Sequence, residues 1–352
     1  MPLRLVRLRY GPAPATRPEP RPAVAPIRPM NPAIFANAIQ EELQHTQYGT
    51  QPAELYDPIR YIMTLGGKRM RPLLTLMGAY LFTDDWRRAL RPALAVEVFH
   101  NFTLLHDDIM DKAPLRRGQP TVHEKWNANI AILSGDVMLV NAYKLLTDVA
   151  PEHLRRVLER FSATAAEVCE GQQFDMNFES RWDVTETEYI DMIRLKTSVL
   201  LGFALELGGI IAGADADSTQ HLYEGGVNIG IGFQLKDDLL DVYGDPAKFG
   251  KQVGGDIIAN KKTFLLIEAL EKAEGPLKDE LTDWLGRTDF DKAEKVRAVT
   301  QIYDRLGIRQ LAETRISDYF ARGFTNFEQV NAAPARKELL LRFTHQLVER
   351  ES

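Results

Sequence analysis

The sequence predicts one all-α domain, and three observations carry that reading. Apolar residues recur at three- and four-residue intervals nearly everywhere from Asn31 onward, the repeat of helices with one buried face. Alternating apolar and polar runs bounded by turn residues, the mark of strands, are absent. Glycine and proline breaks are short, with no linker between two cores and no repeat with a period of roughly 20–50 residues.

In chain order, Ile34, Ala38, Ile39 and Leu43 open the helical pattern. Leu94, Val98, Phe102 and Leu105 continue it, and Leu154, Val157, Leu158 and Phe161 repeat it. Leu195, Val199, Phe203 and Leu207 form a further stripe, and Leu339, Leu340, Phe343 and Leu347 close the chain. Breaks fall at Gly66-Gly67, Pro114 to Pro120, Trp182-Asp183, Gly213 to Asp217 and Gly244 to Gly255, the last a flexible loop. Ser198 to Ala214 is the nearest candidate for a membrane span, but Glu206 and four glycines interrupt it. No apolar run reaches the roughly 18 residues a span needs, so the stretch reads as a buried core helix or helix pair.

The 352 residues are 45% hydrophobic and 26% charged, the balance of a globular protein. A net charge of −6 argues against a nucleic-acid partner, which favours a basic surface. The single cysteine, Cys169, excludes an internal disulfide framework and fits a reduced, cytoplasmic setting. Residues 1–30 differ from the rest, holding eight of the 19 prolines, six arginines and one acid. They read as a disordered Pro/Arg-rich extension without the apolar stretch of a secretory signal. The domain proper, residues 31–352, then carries 37 basic against 48 acidic residues.

Two matching acidic motifs are the strongest chemical signal. Asp107, Asp108 and Asp111 form DDIMD, and Asp237, Asp238 and Asp241 form DDLLD, each at the end of an apolar helical stretch. Residues four apart share a helix face, so Asp107 points with Asp111, and Asp237 with Asp241. Like charges at that spacing destabilise a helix by roughly 0.2–0.5 kcal/mol. Carboxylates near a helix C-terminus also oppose the macrodipole. Something cationic should offset both costs, and an all-oxygen donor set suits Mg²⁺. A solvated pair of helix ends would explain one such motif; it does not explain two.

Carboxylates and magnesium imply a phosphorylated substrate, with Arg and Lys as its contacts. Gly66-Gly67-Lys68-Arg69-Met70-Arg71 supplies three cations beside a glycine pair that lets backbone approach a ligand closely. Arg116-Arg117-Gly118 follows DDIMD, and Lys196, Lys251, Lys261 and Lys262 add cations near the second motif. Nucleotide-binding alternatives fail. No GxxxxGK followed by Ser or Thr occurs, and Gly230-x-Gly232 lacks a third glycine and a preceding strand. The seven histidines show no HExxH, and no serine sits in a GxSxG elbow.

Together these segments resemble the trans-isoprenyl diphosphate synthases, the polyprenyl synthetase family. GGKRMRP, DDIMD followed by RRG, GQQFD, Lys196-Thr197, and FQLKDDLLD followed by the GGD and NKKT stretches stand in that family's order, from about Asn31 to the C-terminus. The resemblance implies an all-α bundle around a deep central cavity, a homodimer, and the two aspartate motifs facing each other across the cavity mouth. It implies that Asp107, Asp108, Asp111 and Asp237 hold three Mg²⁺ ions, joined by Asp238 and Asp241 directly or through water. Arg116, Lys196, Gln234, Lys251 and Lys261 resemble the contacts of an allylic diphosphate (dimethylallyl, geranyl or farnesyl). Gln172 and Asp175 of GQQFD, and Thr197, stand near the same site. Lys68, Arg71, His100 and Arg117 resemble a metal-free pocket for isopentenyl diphosphate.

The implied reaction is head-to-tail prenyl transfer, with a short-chain product. Phe102 and Thr103, five and four residues before Asp107, resemble the chain-length positions. An aromatic followed by a small residue there favours twenty carbons, with the fifteen-carbon product as the alternative. Phe102 would sit roughly 7–8 Å below the aspartates as a floor for the growing chain. Ordinary core packing is the other reading of that ring. The Gly244–Gly255 loop would serve as a lid. A class I terpene cyclase would replace the second motif and have no need of Lys68 and Arg71. A non-catalytic partner subunit would have lost aspartates, and this chain keeps all six.

Overall fold

A computed structural model describes residues 30–245 and 253–349. The extension up to residue 29, Lys251 and most of the expected Gly244–Gly255 lid lie outside the described residues. The chain begins with α1 (Pro32–His45), α2 (Ala53–Thr64), α3 (Met70–Tyr80) and α4 (Leu90–Met110). A two-stranded hairpin follows, β1 (Leu115–Arg116) and β2 (Gln119–Pro120), and then α5 (Val122–Lys125), α6 (Ala128–Leu146) and α7 (Pro151–Glu179). Next come α8 (Glu186–Ile193), a π-helical turn (Arg194–Ser198), α9 (Val199–Ile211) and α10 (Ala216–Tyr243). The chain ends in α11 (Gly255–Ile258), α12 (Phe264–Lys272), α13 (Gly275–Gly286), α14 (Lys292–Arg305), α15 (Ile308–Gln329) and α16 (Pro334–Glu349).

Side chains in the breaks start the helices. Asn31 accepts from Ala33 N with Pro32 at the first helical position, Asn127 caps α6, and Asp215 caps α10 by accepting from Ser218 N. Thr185 and Glu188 close a capping box on α8. The all-α expectation holds, with one small addition. β1 and β2 pair Leu115 with Pro120 and Arg116 with Gln119 around Arg117-Gly118, both at positive φ. Strands two residues long have no periodicity to detect, and only the turn residues signalled them.

Every residue of α9 is buried, as the Ser198–Ala214 stretch suggested. Its glycines are the places where backbones meet. Gly202 lies against α10, where a Cβ added at Gly226 would come within 2.7 Å of the Gly202 Cα. Gly208 lies against α3, where its own Cβ would come within 2.1 Å of the Thr75 carbonyl oxygen. The stack α3–α9–α10 is the spine that carries the site. A second, smaller buried cluster of Val242, Ile257, Leu266, Trp284, Val299 and Tyr303 joins the end of α10 to α11–α14. Among the described residues, no helix is long and apolar enough to cross a membrane.

The same substitution should therefore act with opposite sign at two glycines. Gly208→Ala gains at most about 1 kcal/mol of helix propensity but forces two backbones apart, which typically costs 1–3 kcal/mol or more, so it destabilises. Gly286, at the end of α13, has nothing within 4 Å of an added Cβ, so Gly286→Ala stabilises by about 0.5 kcal/mol. Urea unfolding of the two variants checks the contrast.

Candidate active site

The two acidic motifs occupy the C-terminal ends of α4 and α10. Asp107 and Asp108 form part of the last turn of α4, and Asp111 caps it by donating its N–H to the Asp107 carbonyl. Asp237, Asp238 and Asp241 sit in the last two turns of α10. The middle aspartate of each motif turns inward, leaving Asp108 2% and Asp238 3% exposed. Burial therefore falls on matching positions.

Each buried carboxylate has its own partner. Arg116, on β1, donates Nε to both oxygens of Asp108 at 2.8 Å, with Nη2 2.7 Å from Oδ1 and 3.5 Å from Asp107 Oδ2. Asp238 accepts a short hydrogen bond from the hydroxyl of Tyr189 and a longer one, 3.4 Å, from Gln234 Nε2. Asp241 accepts from the Asp256 N–H at 2.9 Å. No motif in the sequence pointed to Tyr189. It lies seven residues before Lys196, and only burial reveals it.

Lys196 connects the helices. Its Nζ lies 2.6 Å from Asp175 Oδ2 and 3.2 Å from Asp107 Oδ1, tying GQQFD on α7 to DDIMD on α4. The lysine sits in the π-helical turn, which shifts the side-chain register relative to an unbroken helix. Gly171 makes that approach possible, because a Cβ there would come within 2.2 Å of Lys196 N. Burial alone would lower Lys196, but Asp175 and Asp107 hold it above its ordinary pKa. Lys261 behaves alike: burial opposes its charge, while Asp256, Asp238, Asp175 and Asp111 keep its pKa raised. Carboxylates of both motifs thus act on one lysine, as motifs facing a common space should. Gln172 and Thr197 are half-buried beside these groups on α7 and the π turn.

A second basic group lies toward the middle of α4. Arg71 Nη1 stands 3.2 Å from His100 Nε2. His100 is held far below its ordinary pKa, by burial and then by Arg71, Arg117, Arg116 and Arg69, so it is neutral and accepts at Nε2. Arg117, at the hairpin tip, donates to the Gly66 carbonyl, and its Nη2 would lie 2.8 Å from a Cβ on Gly67. Lys68 is exposed in the same loop. Two of the cations grouped by sequence turn elsewhere. Arg69, in a left-handed conformation, pairs with buried Glu97, which Asn101 braces at 3.0 Å. Lys262 donates to the Glu179 carbonyl at 3.2 Å and lies 4.0 Å from the Trp182 ring centroid.

Among the described residues, no three or more His, Cys, Asp or Glu side chains are gathered closely enough to hold a metal ion as they stand. The donor set nevertheless fits a hard divalent cation. Asp107 Oδ1 is shielded from solvent and accepts no aligned hydrogen bond. Burial raises the pKa of Asp108 and Asp111 and pushes Asp238 up to about 7; Asp107 adds to the rise at Asp111, while Arg116 opposes it at Asp108 and Tyr189 and Lys261 oppose it at Asp238. Phe102 is buried against Phe99 and His106, with centroids 5.6 and 4.7 Å away, and Thr103 donates to the His100 carbonyl.

An all-α bundle that opposes two aspartate-rich helix ends and surrounds them with Arg and Lys defines a class of enzyme that handles diphosphates. The chain belongs to the polyprenyl synthetase family, whose model matches residues 52–303, and it is a trans-prenyltransferase. It is 36% identical over 318 residues to the geranylgeranyl pyrophosphate synthase of Geoglobus acetivorans, covering 90% of this chain and 97% of that one. It is 37% identical over 307 residues to a geranylfarnesyl diphosphate synthase of Aeropyrum pernix, covering 85% and 95%. A crystal structure of a geranylgeranyl pyrophosphate synthase superposes with a TM-score of 0.86 at 46% identity, covering 92% of this chain and all of that one.

Asp238 gives the metal-free protein a defined pH response. It keeps its proton in the folded state up to about 7, whereas an unfolded aspartate releases it near 4. Between those values the unfolded chain binds fewer protons, so stability falls as pH rises through that window. Chemical denaturation at several pH values, without divalent cations, checks the sign. The Asp238→Asn variant should show a shallower fall.

Proposed function

We propose that the enzyme joins isopentenyl diphosphate head-to-tail to an allylic diphosphate and releases geranylgeranyl diphosphate. The observation that carries this reading is the division of the basic residues. One set, Arg116, Lys196 and Lys261, is interleaved with the carboxylates of the two motifs and GQQFD; the other, Arg71, His100 and Arg117, has as its main carboxylate neighbour Glu97, which Arg69 already pairs. Two diphosphates, one bound with Mg²⁺ and one without, call for such a division.

Asp107, Asp108, Asp111, Asp237 and Asp241 would hold Mg²⁺, with Asp238 joining directly or through water. When bound, the ions would stabilise charge building on the departing diphosphate as the allylic C–O bond ionises. Arg116, Lys196 and Lys261, with Lys251, bind that diphosphate, and Gln172, Asp175, Thr197 and Gln234 frame its site. The carbonyls of Lys196 and Thr197 face the positive charge left behind. Lys68, Arg71, His100 and Arg117 hold isopentenyl diphosphate, whose double bond attacks the cation. The condensed intermediate then loses a proton to the released diphosphate. Apolar walls must exclude water, which would quench the cation to an alcohol. A homodimer is proposed through α6, which leaves Ile132, Leu133 and Val140 exposed.

Incubation with labelled isopentenyl diphosphate and each allylic primer tests the activity. Lys68→Met and Arg71→Met should raise the KM for isopentenyl diphosphate at least tenfold, each removing a charge-assisted contact of roughly 1.5–3 kcal/mol, and leave the primer's KM close to unchanged. Equal effects on the two substrates would mean the pockets are wrongly assigned.

Phe102 and Thr103 are proposed to set product length. The small Thr103 leaves room on the face of α4 that carries Asp107, and Phe102, packed on Phe99, closes it below. Relatives named for twenty- and twenty-five-carbon products are of similar identity, so the floor decides. Phe102→Ala should lengthen the products, at a core cost of roughly 3–5 kcal/mol. An active variant with an unaltered product distribution, read by chromatography, would remove Phe102 from this role.

A further inference from the structure

Lys295, on α14, is fully buried in the smaller core, and among the described residues no carboxylate pairs with it. Its ammonium donates to Asn260 Oδ1 at 2.7 Å and to the Ile258 carbonyl at 3.4 Å, and lies 4.3 Å from the Phe290 ring centroid. Burial works against the charge and lowers its pKa. An apolar side chain of similar length would fill the space without that cost.

The partners of Lys295 belong to the arch that joins the second acidic motif to Lys261. Gly254 N donates to the Asp241 carbonyl at 2.6 Å, Asp256 N to Asp241 Oδ2 at 2.9 Å, and Lys261 N to the Asp256 carbonyl at 2.9 Å. Asn260 is left-handed, with φ 53°, and donates Nδ2 to the Leu285 carbonyl at 3.0 Å. Val296, next to Lys295, abuts the start of the arch, where a Cβ on Gly254 would lie 2.6 Å from Val296 Cγ2. One turn of α14 therefore grips both ends. We propose that Lys295 is a positioning residue, holding Asn260 so that the left-handed turn aims Lys261 at the carboxylates of both motifs. The inference rests on the proposed contact between Lys261 and the allylic diphosphate.

Steady-state kinetics on the full chain with Mg²⁺ test it, using Lys295→Met, Asn260→Gly, the double variant and Lys261→Met. Lys295→Met should raise the KM for the allylic primer roughly tenfold, the loss of one charge-assisted hydrogen bond, and leave the KM for isopentenyl diphosphate unchanged. Asn260→Gly keeps the backbone conformation, removes that contact together with the bond from Nδ2 to the Leu285 carbonyl, and should raise the primer's KM at least as far. The double variant should be no worse than Asn260→Gly alone. Lys295→Arg, which keeps a donor, should recover part of the loss. A change in Tm with both KM values unaltered, an equal rise in both, or full additivity with Asn260→Gly would overturn the proposal. Should Lys295→Met fail to fold, the KM split in Asn260→Gly decides alone. If Lys261→Met leaves the primer's KM unchanged, the site assignment fails. If Lys261→Met raises it and Lys295→Met does not, the positioning role fails.

Discussion

Six carboxylates gathered at two helix C-termini repel one another and oppose the helix dipoles, and much of the structure exists to hold them there. The counterions come from separate parts of the chain. Arg116 arrives on a hairpin whose tight turn needs positive φ at Arg117 and Gly118. Lys196 arrives on a π turn that packs closely against Gly171. Tyr189 arrives from the helix just before that turn and uses a neutral donor, which satisfies Asp238 without adding charge. Irregular backbone is concentrated where the carboxylates need partners, while the apolar spine is regular.

The two basic groups are spaced along a single helix. On α4, Glu97 holds Arg69, His100 meets Arg71 three residues later, and Asp107 and Asp108 meet Arg116. Ten residues of helix separate Glu97 from Asp107, or about 15 Å. A rigid rod therefore fixes the distance between the Arg69–Glu97 pair and the acidic end of α4. Glu97 also takes one of the three neighbouring charges of the Gly66–Arg71 loop, that of Arg69.

The helical fold was legible because a buried face imposes a period on every long helix. The aspartate motifs were legible because repulsive spacing is hard to explain without a cation. The glycines of Ser198–Ala214 were legible as breaks, yet they are contacts, Gly202 with α10 and Gly208 with α3. Sequence shows that a side chain is missing but not which backbone takes its place. Individual cations were the least legible. Lys261 and Lys262 are adjacent, but one faces the carboxylates and the other faces Trp182. Tyr189, Glu97 and Lys295 carry no motif, and their partners are distant in the chain: 49 residues separate Tyr189 from Asp238, and 28 separate Arg69 from Glu97.

The pairing of Arg116 with Asp108 bears on how the site would fill. The guanidinium contacts both oxygens of a buried carboxylate, so a cation binding Asp108 would compete with it for them. A displaced Arg116 left without an anion would strand a charge in a half-buried place, at a cost of several kcal/mol. A diphosphate arriving with the cation removes that cost, because it supplies the anion as the carboxylate is withdrawn. Lys196 follows the same logic between Asp107 and Asp175. On the proposed assignment, the internal ion pairs would favour joint arrival of metal and diphosphate over metal alone. Charges that hold the resting protein together would then, on exchange of partners, be the charges that receive the substrate.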